Sequence, residues 1–214
     1  MVRLTSPASV KEVMAVKFEI NLFRVLGDHL LAGRALGSRH LTAMMEIISR
    51  ELERRQVFDP NRAEKILIVL DFAQVTVATS SYLAAAVLPL WSWKALLEGN
   101  AYPVVANLNP GIQDEIEFVL RPQNTAVWTG RQVSGDLHDV GLVGTLDESL
   151  RTTLRYFSPS SELSATELAS SDEKIGSTAW NNRLSSLYEF RLLHRRKVGR
   201  RQVYSLSWSE ASHG

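Results

Sequence analysis

The pattern of apolar and polar positions in the first third of the chain predicts strands flanking a helix. Residues 16–23 (VKFEINLF) alternate apolar and polar side chains as a half-buried strand does, and 29–33 (HLLAG) is a candidate hairpin partner. From 36 to 52, apolar residues recur at intervals of three and four, which predicts an amphipathic helix. The continuous apolar run at 66–72 (ILIVLDF) is typical of a strand that is covered on both faces.

The middle of the chain continues the alternation of helix and strand. Residues 80–98 are apolar on nearly all sides, which predicts a buried helix that Pro89 kinks or interrupts. A strand over 102–108 follows, then a helix capped by Asn109, then a short strand over 125–130. Strands that alternate with helices indicate an α/β domain with a mostly parallel or mixed sheet and helices packed on it.

Three helices and a hairpin are predicted in the last third of the chain. One helix covers about 146–157, and a second begins at Ser164, which opens an S-x-x-E capping box. A third helix covers 177–190, and 192–208 has the alternation of two strands joined around Val198-Gly199.

A change of pattern separates these two parts of the chain. The stretch 132–145 is rich in glycine and has no strong period, so we predict that it is a linker. The predicted organisation is an α/β domain over 14–131 and a small α+β domain over 146–210.

Composition narrows the class of protein. The 214 residues are 45% hydrophobic and include no cysteine, which suits one large or two small globular domains without disulfides. No apolar run reaches the roughly 18 residues of a membrane span, and the N-terminus lacks the apolar core of a signal peptide. We therefore expect a cytoplasmic protein that does not enter a membrane.

Positive charge is concentrated at one end of the chain, although the formal net charge is only +1. Residues 174–204 contain eight Lys or Arg and one acidic residue, a net charge of +7. Residues 147–173 contain two basic and six acidic residues, a net charge of −4. The basic segment coincides with the predicted third helix and hairpin, which makes a polyanion a candidate partner.

Three motifs in this basic third resemble a winged helix-turn-helix domain. SATELAS matches the first helix of the turn unit, STAWNNRLSSL the recognition helix and LLHRRKVGRRQVYSL the wing. The resemblance covers about residues 146–208 and implies double-stranded DNA as a partner. It also implies a homodimer, since such domains often bind two half-sites. Arg191 stands where these domains usually have glycine.

Two groups of side chains are the candidates for nucleic-acid contacts. The third helix has short polar residues off its apolar face, which are able to hydrogen-bond base edges and phosphates. They are Ser177, Thr178, Asn181, Asn182 and Ser185. The predicted hairpin contributes Arg195, Arg196, Lys197, Arg200 and Arg201, which are suited to neutralising phosphates. The alternatives are a solvated charged surface or a winged helix that binds protein.

The segment ILIVLDFAQVTVATSSYL resembles the STAS fold of anti-sigma-factor antagonists. It has a strand, Leu-Asp-Phe, Val-x-Val and a serine pair that opens an apolar helix, and GRALGSRHLTAMMEII resembles the preceding helix. The likeness covers about residues 14–130 and is closest to the STAS-like group found beside histidine-kinase-type ATPases in bacteria. It implies a protein-interaction domain whose partner is such an ATPase.

The turn before the apolar helix has two interpretations. In the antagonists it reads Asp-Ser-Ser-Gly with a phosphorylated second serine, and the resemblance places Ser81 at that position, beside Ser80. Thr79 and Tyr82 replace the Asp and Gly. A helix N-terminus favours a phosphate, but Ser and Thr are also common neutral caps. Asp71 likewise either anchors a loop or binds a partner.

The sequence contains no motif of a metal site, a phosphate-binding loop or a catalytic centre. The five histidines lack metal-ligand spacing, and no phosphate loop or catalytic motif is present, so we predict neither enzyme activity nor a metal or cofactor. Three functions are compared: a DNA-binding transcription regulator, a protein–protein adaptor that partners an ATPase, and a small nucleotide hydrolase. The hydrolase lacks a phosphate loop, and the arginine-rich wing favours the regulator over the adaptor, so a DNA-binding regulator is the prediction.

Overall fold

The computed structural model describes residues 16–55, 65–98 and 100–209. The strands are β1 (Val16–Asn21), β2 (Leu30–Leu31), β3 (Ile66–Asp71), β4 (Val77–Ala78), β5 (Ala101–Ala106), β6 (Ala126–Val133), β7 (Asp136–Gly144), β8 (Leu193–Val198) and β9 (Arg201–Leu206). The helices are α1 (Leu22–Leu26), α2 (Arg34–Arg54), α3 (Ser80–Ala86), α4 (Leu88–Ser92), α5 (Lys94–Glu98), α6 (Pro110–Leu120), α7 (Glu148–Leu154), α8 (Ala165–Ser171) and α9 (Ser177–Glu189).

A five-stranded mixed sheet in the order β1-β3-β5-β6-β7 forms the centre of the fold. The first four strands are parallel neighbours and β7 is antiparallel to β6. Each parallel strand is added on the same side of the last, so right-handed crossovers place the connecting helices on one face. That face buries Ile68 and Leu70 against Met44, Ile48 and Leu83. The prediction of an α/β fold with a mixed sheet and packed helices is confirmed.

The opposite face of the sheet is covered by the C-terminal unit, residues 146–209. Alternate strand residues point to this face, among them Leu67, Val69 and Tyr102. They share one buried cluster with Leu150, Leu154, Trp180, Leu184, Leu187 and Leu193. An apolar sheet face must be buried by another layer. The C-terminal unit is that layer, so it is not a tethered module.

Within the C-terminal unit, α7, α8 and α9 precede the antiparallel hairpin of β8 and β9. Leu163, between α7 and α8, pairs with Tyr204 of β9 in an isolated antiparallel bridge. The predicted capping box at the start of α8 is confirmed. The Glu167 N–H donates to Ser164 Oγ (3.3 Å), and the Ser164 N–H donates to the Glu167 carboxylate (2.7 Å).

Arg191 fastens the C-terminal unit to the first part of the chain. It is only 2% exposed, and its guanidinium donates to the backbone carbonyls of Trp91 (2.6 Å), Trp93 (2.8 Å) and Ala101 (3.2 Å). Its φ of 61° lies in the left-handed region, which costs a non-glycine residue about 1–2 kcal/mol. The three hydrogen bonds offset that strain, which explains an arginine where glycine would fit the backbone more easily.

Two more buried donors reach across the same interface. Lys65, which is 2% exposed, donates from Nζ to the carbonyl of Leu206 (2.8 Å). The indole N–H of Trp128 donates to the carbonyl of Leu192 (3.0 Å). Each of these two buried donors therefore has a backbone acceptor across the interface.

A buried tyrosine and histidine complete the interface. Tyr102 Oη lies 2.9 Å from Nδ1 of His194. Burial lowers the pKa of His194 to about 3, and the positive charges of Lys65 and Arg196 act in the same direction. His194 is therefore neutral at pH 7, and its Nδ1 forms a hydrogen bond with the Tyr102 hydroxyl.

The prediction of a linker over 132–145 is wrong, because residues 132–133 end β6 and residues 136–144 form β7, the edge strand of the sheet. Glycine there permits close approach. A Cβ at Gly144 would lie 2.5 Å from the carbonyl oxygen of Thr125, and the φ of Gly144 is 107°. The hairpin of β6 and β7 also reaches back to β1, where Lys17 forms a 2.8 Å ion pair with Asp136.

The predicted hairpin between 16–23 and 29–33 is also wrong. Residues 22–26 form α1, and β2 pairs in parallel with β4, where Leu30 lies opposite Val77 and Leu31 opposite Ala78. The two strands are distant in sequence, and local alternation carries no information about such pairing.

The predicted helix over 80–98 is divided into α3, α4 and α5, with breaks at Val87 and Trp93. Pro89 lies in the first turn of α4, where the missing N–H has no intrahelical partner to lose. Within the described ranges, no helix is both long and apolar enough to cross a membrane.

Candidate nucleic-acid interface

Helix α9 buries one face and exposes a polar one. Trp180, Leu184 and Leu187 are fully buried against the rest of the C-terminal unit. The predicted contact residues share the outward side of the helix: Ser177, Thr178, Asn181 and Asn182 are exposed and Ser185 is half-buried. Their spacing of one, three or four residues makes a continuous uncharged stripe on the surface of α9, here called the polar stripe.

The basic hairpin, β8 and β9, projects from the same unit and turns within two residues. Val198 pairs with Arg201, so the turn residues are Gly199 and Arg200. Gly199 has a φ of 60°, and glycine is the residue that two-residue hairpin turns require at such a position. Lys197, Arg200 and Arg201 are all exposed at this tip.

The five predicted basic residues of the hairpin do not act alike. Arg196 is held by Glu162, with a 2.7 Å bond from its Nε and a second from Nη2, and this hydrogen bonding raises the pKa of Arg196. The guanidinium of Arg195 lies 4.1 Å from the centre of the Tyr188 ring. These two cations contact the protein itself, so the hairpin presents three exposed positive charges rather than five.

One of the three exposed charges has an acidic neighbour. The pKa of Glu167 is lowered mainly by hydrogen bonds from Ser164, and the charge of Arg201 contributes to the same shift. Lys197 and Arg200 have no ion pair within the part of the chain that the structure describes. Among the five cations of the hairpin, these two are the most available to an external anion.

Sequence reasoning missed two cations on or just before α9. Arg183 lies on α9 with its guanidinium 5.3 Å from the centre of the Trp180 ring, and Lys174 is exposed in the loop before the helix. A helical wheel of α9 places Arg183 outside both the polar stripe and the buried face. That position was the available signal for Arg183; for Lys174 the signal was proximity to the helix start.

The hydroxyl group of Thr79 caps α3. Thr79 Oγ1 accepts the N–H groups of Gly33 (3.2 Å) and Tyr82 (3.4 Å), and it lies 3.2 Å from Ser81 Oγ. With both lone pairs of Thr79 occupied, its own proton points to Ser81. Ser80 is held through its N–H, which donates to the carboxylate of Glu115 (2.8 Å). The turn is thus a satisfied cap.

Ser81 differs from its two neighbours because it is exposed, whereas Thr79 and Ser80 are half-buried. The Ser81 side chain is therefore accessible from solvent. A phosphate there would carry nearly two negative charges one residue away from the Ser80–Glu115 contact. Phosphorylation would repel Glu115 and weaken the link between α3 and α6.

Substitutions at this turn distinguish the capping hydroxyl of Thr79 from the exposed hydroxyl of Ser81. We expect Thr79→Ala to lower the free energy of unfolding by about 1–2 kcal/mol, because two backbone N–H groups lose their acceptor. Ser81→Ala should change it by less than about 0.5 kcal/mol, since Ser81 is exposed. Urea unfolding measures both, with Thr79→Ser as the matched control that keeps the hydroxyl. Equal losses for the two alanine variants would contradict the assignment.

Asp71, at the carboxyl end of β3, anchors neighbouring loops. Its carboxylate accepts the side-chain amides of Asn21 (2.7 Å) and Asn107 (2.7 Å) and the N–H of Ala73 (2.8 Å). These bonds connect the ends of β1, β3 and β5. Asp71 is buried, so its role is structural and not that of an exposed partner contact.

Comparison with family models, curated proteins and solved structures finds no significant match to this chain. In the described residues, no cluster of three or more His, Cys, Asp or Glu side chains is arranged to hold a metal ion. The polar stripe and the hairpin tip are therefore the features on which a function is inferred.

Proposed function

We propose that the protein is a bacterial DNA-binding regulator, with a C-terminal unit that is a winged helix-turn-helix. The observation that carries the proposal is the exposed pair of surfaces on one unit: the uncharged polar stripe of α9 and the cationic tip at Lys197 and Arg200. The order of α7, the Leu163 bridge, α8, α9 and the hairpin supports the same assignment. In this arrangement α9 enters the major groove and the hairpin contacts the backbone or minor groove.

The electrostatics suit a phosphate backbone. Three exposed positive charges at one tip would displace condensed counterions from DNA, so binding should weaken steeply as salt is added. We also propose that the protein binds DNA as a homodimer. Each subunit would then contact one half-site of a symmetric operator.

Titration of the full chain against fluorescently labelled duplex DNA at several salt concentrations tests the proposal. Three hairpin cations that each neutralise one DNA charge predict a slope of about −2.7 or steeper in a plot of log affinity against log salt. Absence of binding at low salt, or affinity that does not depend on salt, would overturn it.

The first part of the chain is proposed to be a STAS-like protein-interaction domain that controls the DNA-binding unit. The shared core supports a specific route for such control. Because Arg191 and Lys65 join the two units directly, a partner that shifts α4 or β3 would move the C-terminal unit with them. Regulation would then alter the position of α9 without a hinge in a linker.

A protein–protein adaptor is the second candidate, favoured by the surface beside Ser80. Phe118 is 63% exposed and lines a shallow depression together with Ser80, Asp114 and Glu115. An exposed aromatic residue near an accessible hydroxyl suits a protein partner such as a histidine-kinase-type ATPase. Co-purification of an ATPase that Phe118→Ser abolishes, together with phosphate on Ser81 by mass spectrometry, would favour the adaptor. If no ATPase co-purifies, or if co-purification survives Phe118→Ser, the adaptor function is rejected.

A further inference from the structure

The chemistry of the polar stripe favours one kind of base pair. All five of its side chains are uncharged, and two of them, Asn181 and Asn182, carry amides. In the major groove, a side-chain amide donates to N7 of adenine and accepts from the N6 amino group in a bidentate pair, whereas guanine is read by arginine or lysine. The nearest arginine on the helix, Arg183, is turned over the Trp180 ring. The stripe is therefore equipped for adenine and contains no arginine or lysine of its own to read guanine.

The hairpin tip adds an independent preference of the same kind. Arg200 occupies the turn itself, with exposed Lys197 close behind it, and in the described residues neither is held in an ion pair. The narrow minor groove of A·T tracts has an enhanced negative potential that attracts an inserted arginine or lysine. The exocyclic amino group of guanine fills that groove in G·C pairs. An arginine on a two-residue turn is narrow enough to enter an A·T groove.

We propose that the protein selects A·T-rich duplex DNA, an inference that rests on the DNA-binding function proposed above. Asn181 and Asn182 read adenine in the major groove, and Arg200 enters the adjoining minor groove. The two contacts lie on different surfaces of the C-terminal unit and read different edges of the base pair. Each is therefore testable without the other.

Four labelled duplexes of equal length separate the two contacts, with the full wild-type chain as the protein. The first is A·T-rich and the second is G·C-rich. The third is the G·C-rich duplex with inosine in place of guanine, and the fourth is the A·T-rich duplex with 7-deazaadenine in place of adenine. Inosine removes the minor-groove amino group, and 7-deazaadenine removes the major-groove acceptor while it leaves the minor groove intact. We expect the A·T duplex to bind most tightly. The inosine duplex should bind more tightly than the G·C duplex, and deazaadenine should weaken A·T binding about tenfold.

Two variants assign these effects to residues. Asn181→Ala should weaken binding to the A·T duplex about tenfold, weaken binding to the deazaadenine duplex less because only the N6 contact remains there, and leave binding to the G·C duplex unchanged. Arg200→Ala should remove the advantage of the inosine duplex over the G·C duplex. Arg39→Ala, an exposed arginine on α2, is the control for loss of one positive charge and should preserve every preference.

The outcomes distinguish this inference from the proposed function. Equal affinity for all four duplexes, with a steep salt dependence, would overturn A·T selection and leave DNA binding in place. Tighter binding to the G·C duplex would overturn the inference in the same way. No binding to any duplex at low salt would overturn the DNA-binding function and the inference with it.

Discussion

Replacement of Arg191 by methionine is expected to lower the free energy of unfolding by about 3–5 kcal/mol, which corresponds to a fall in Tm of roughly 10 °C. The guanidinium donates to three backbone carbonyls that belong to α4, β5 and the residue between α4 and α5. Methionine preserves much of the volume but leaves those buried carbonyls without their donor. Urea unfolding followed by tryptophan fluorescence measures the loss.

A matched substitution separates the charge of Arg191 from its shape. Lysine keeps the positive charge but presents a single ammonium in place of a planar fork, so Arg191→Lys should fall between wild type and Arg191→Met. Because the sheet face and the C-terminal unit share one core, all three proteins should unfold in a single transition. Unchanged stability of Arg191→Met, or separate transitions for the two units in wild type, would contradict the structural role.

The elements that the sequence predicted well have strong local signals. The apolar run at 66–72 became β3 with every residue buried, and the capping box at Ser164 begins α8. Both depend on residues within one element, where hydrophobic period and side-chain capping determine the backbone.

The errors arose where the fold depends on distant partners. Glycines in 132–145 suggested flexibility, but at Gly144 the absent Cβ allows another strand to approach closely. The pairing of β2 with β4 joins segments far apart in the chain. Nothing local distinguishes a glycine that allows close packing from one that allows motion.

The candidate site was predictable in its residue types but not in their availability. Alternation along β8 places Arg195 and Arg196 on opposite faces of the hairpin. The sequence could not show that Arg195 contacts Tyr188 and that Arg196 contacts Glu162. Docking of the C-terminal unit was equally hidden. Lys65 and Arg191 donate to backbone carbonyls across this interface. Because every residue has a backbone carbonyl, no sequence motif identifies the acceptors.

Charge reversal at the hairpin tip is expected to have the largest effect on DNA binding. Arg200→Glu with Arg201→Glu removes two exposed cations and places two anions against phosphate. Two lost charge-assisted contacts cost about 3 kcal/mol or more, which is over about 100-fold in affinity at low salt. The slope of log affinity against log salt should become shallower by about 2.

A remote double reversal shows whether location or total charge matters. Arg34→Glu with Arg39→Glu, on exposed positions of α2, lowers the formal net charge from +1 by the same four units. If the hairpin tip touches DNA, this control should retain most of the affinity and the wild-type salt slope at about 0.1 M salt, where charges beyond a Debye length of about 10 Å are largely screened. Equal losses in both double variants would mean that net charge alone drives association. A loss confined to the tip would identify Arg200 and Arg201 as residues that contact DNA.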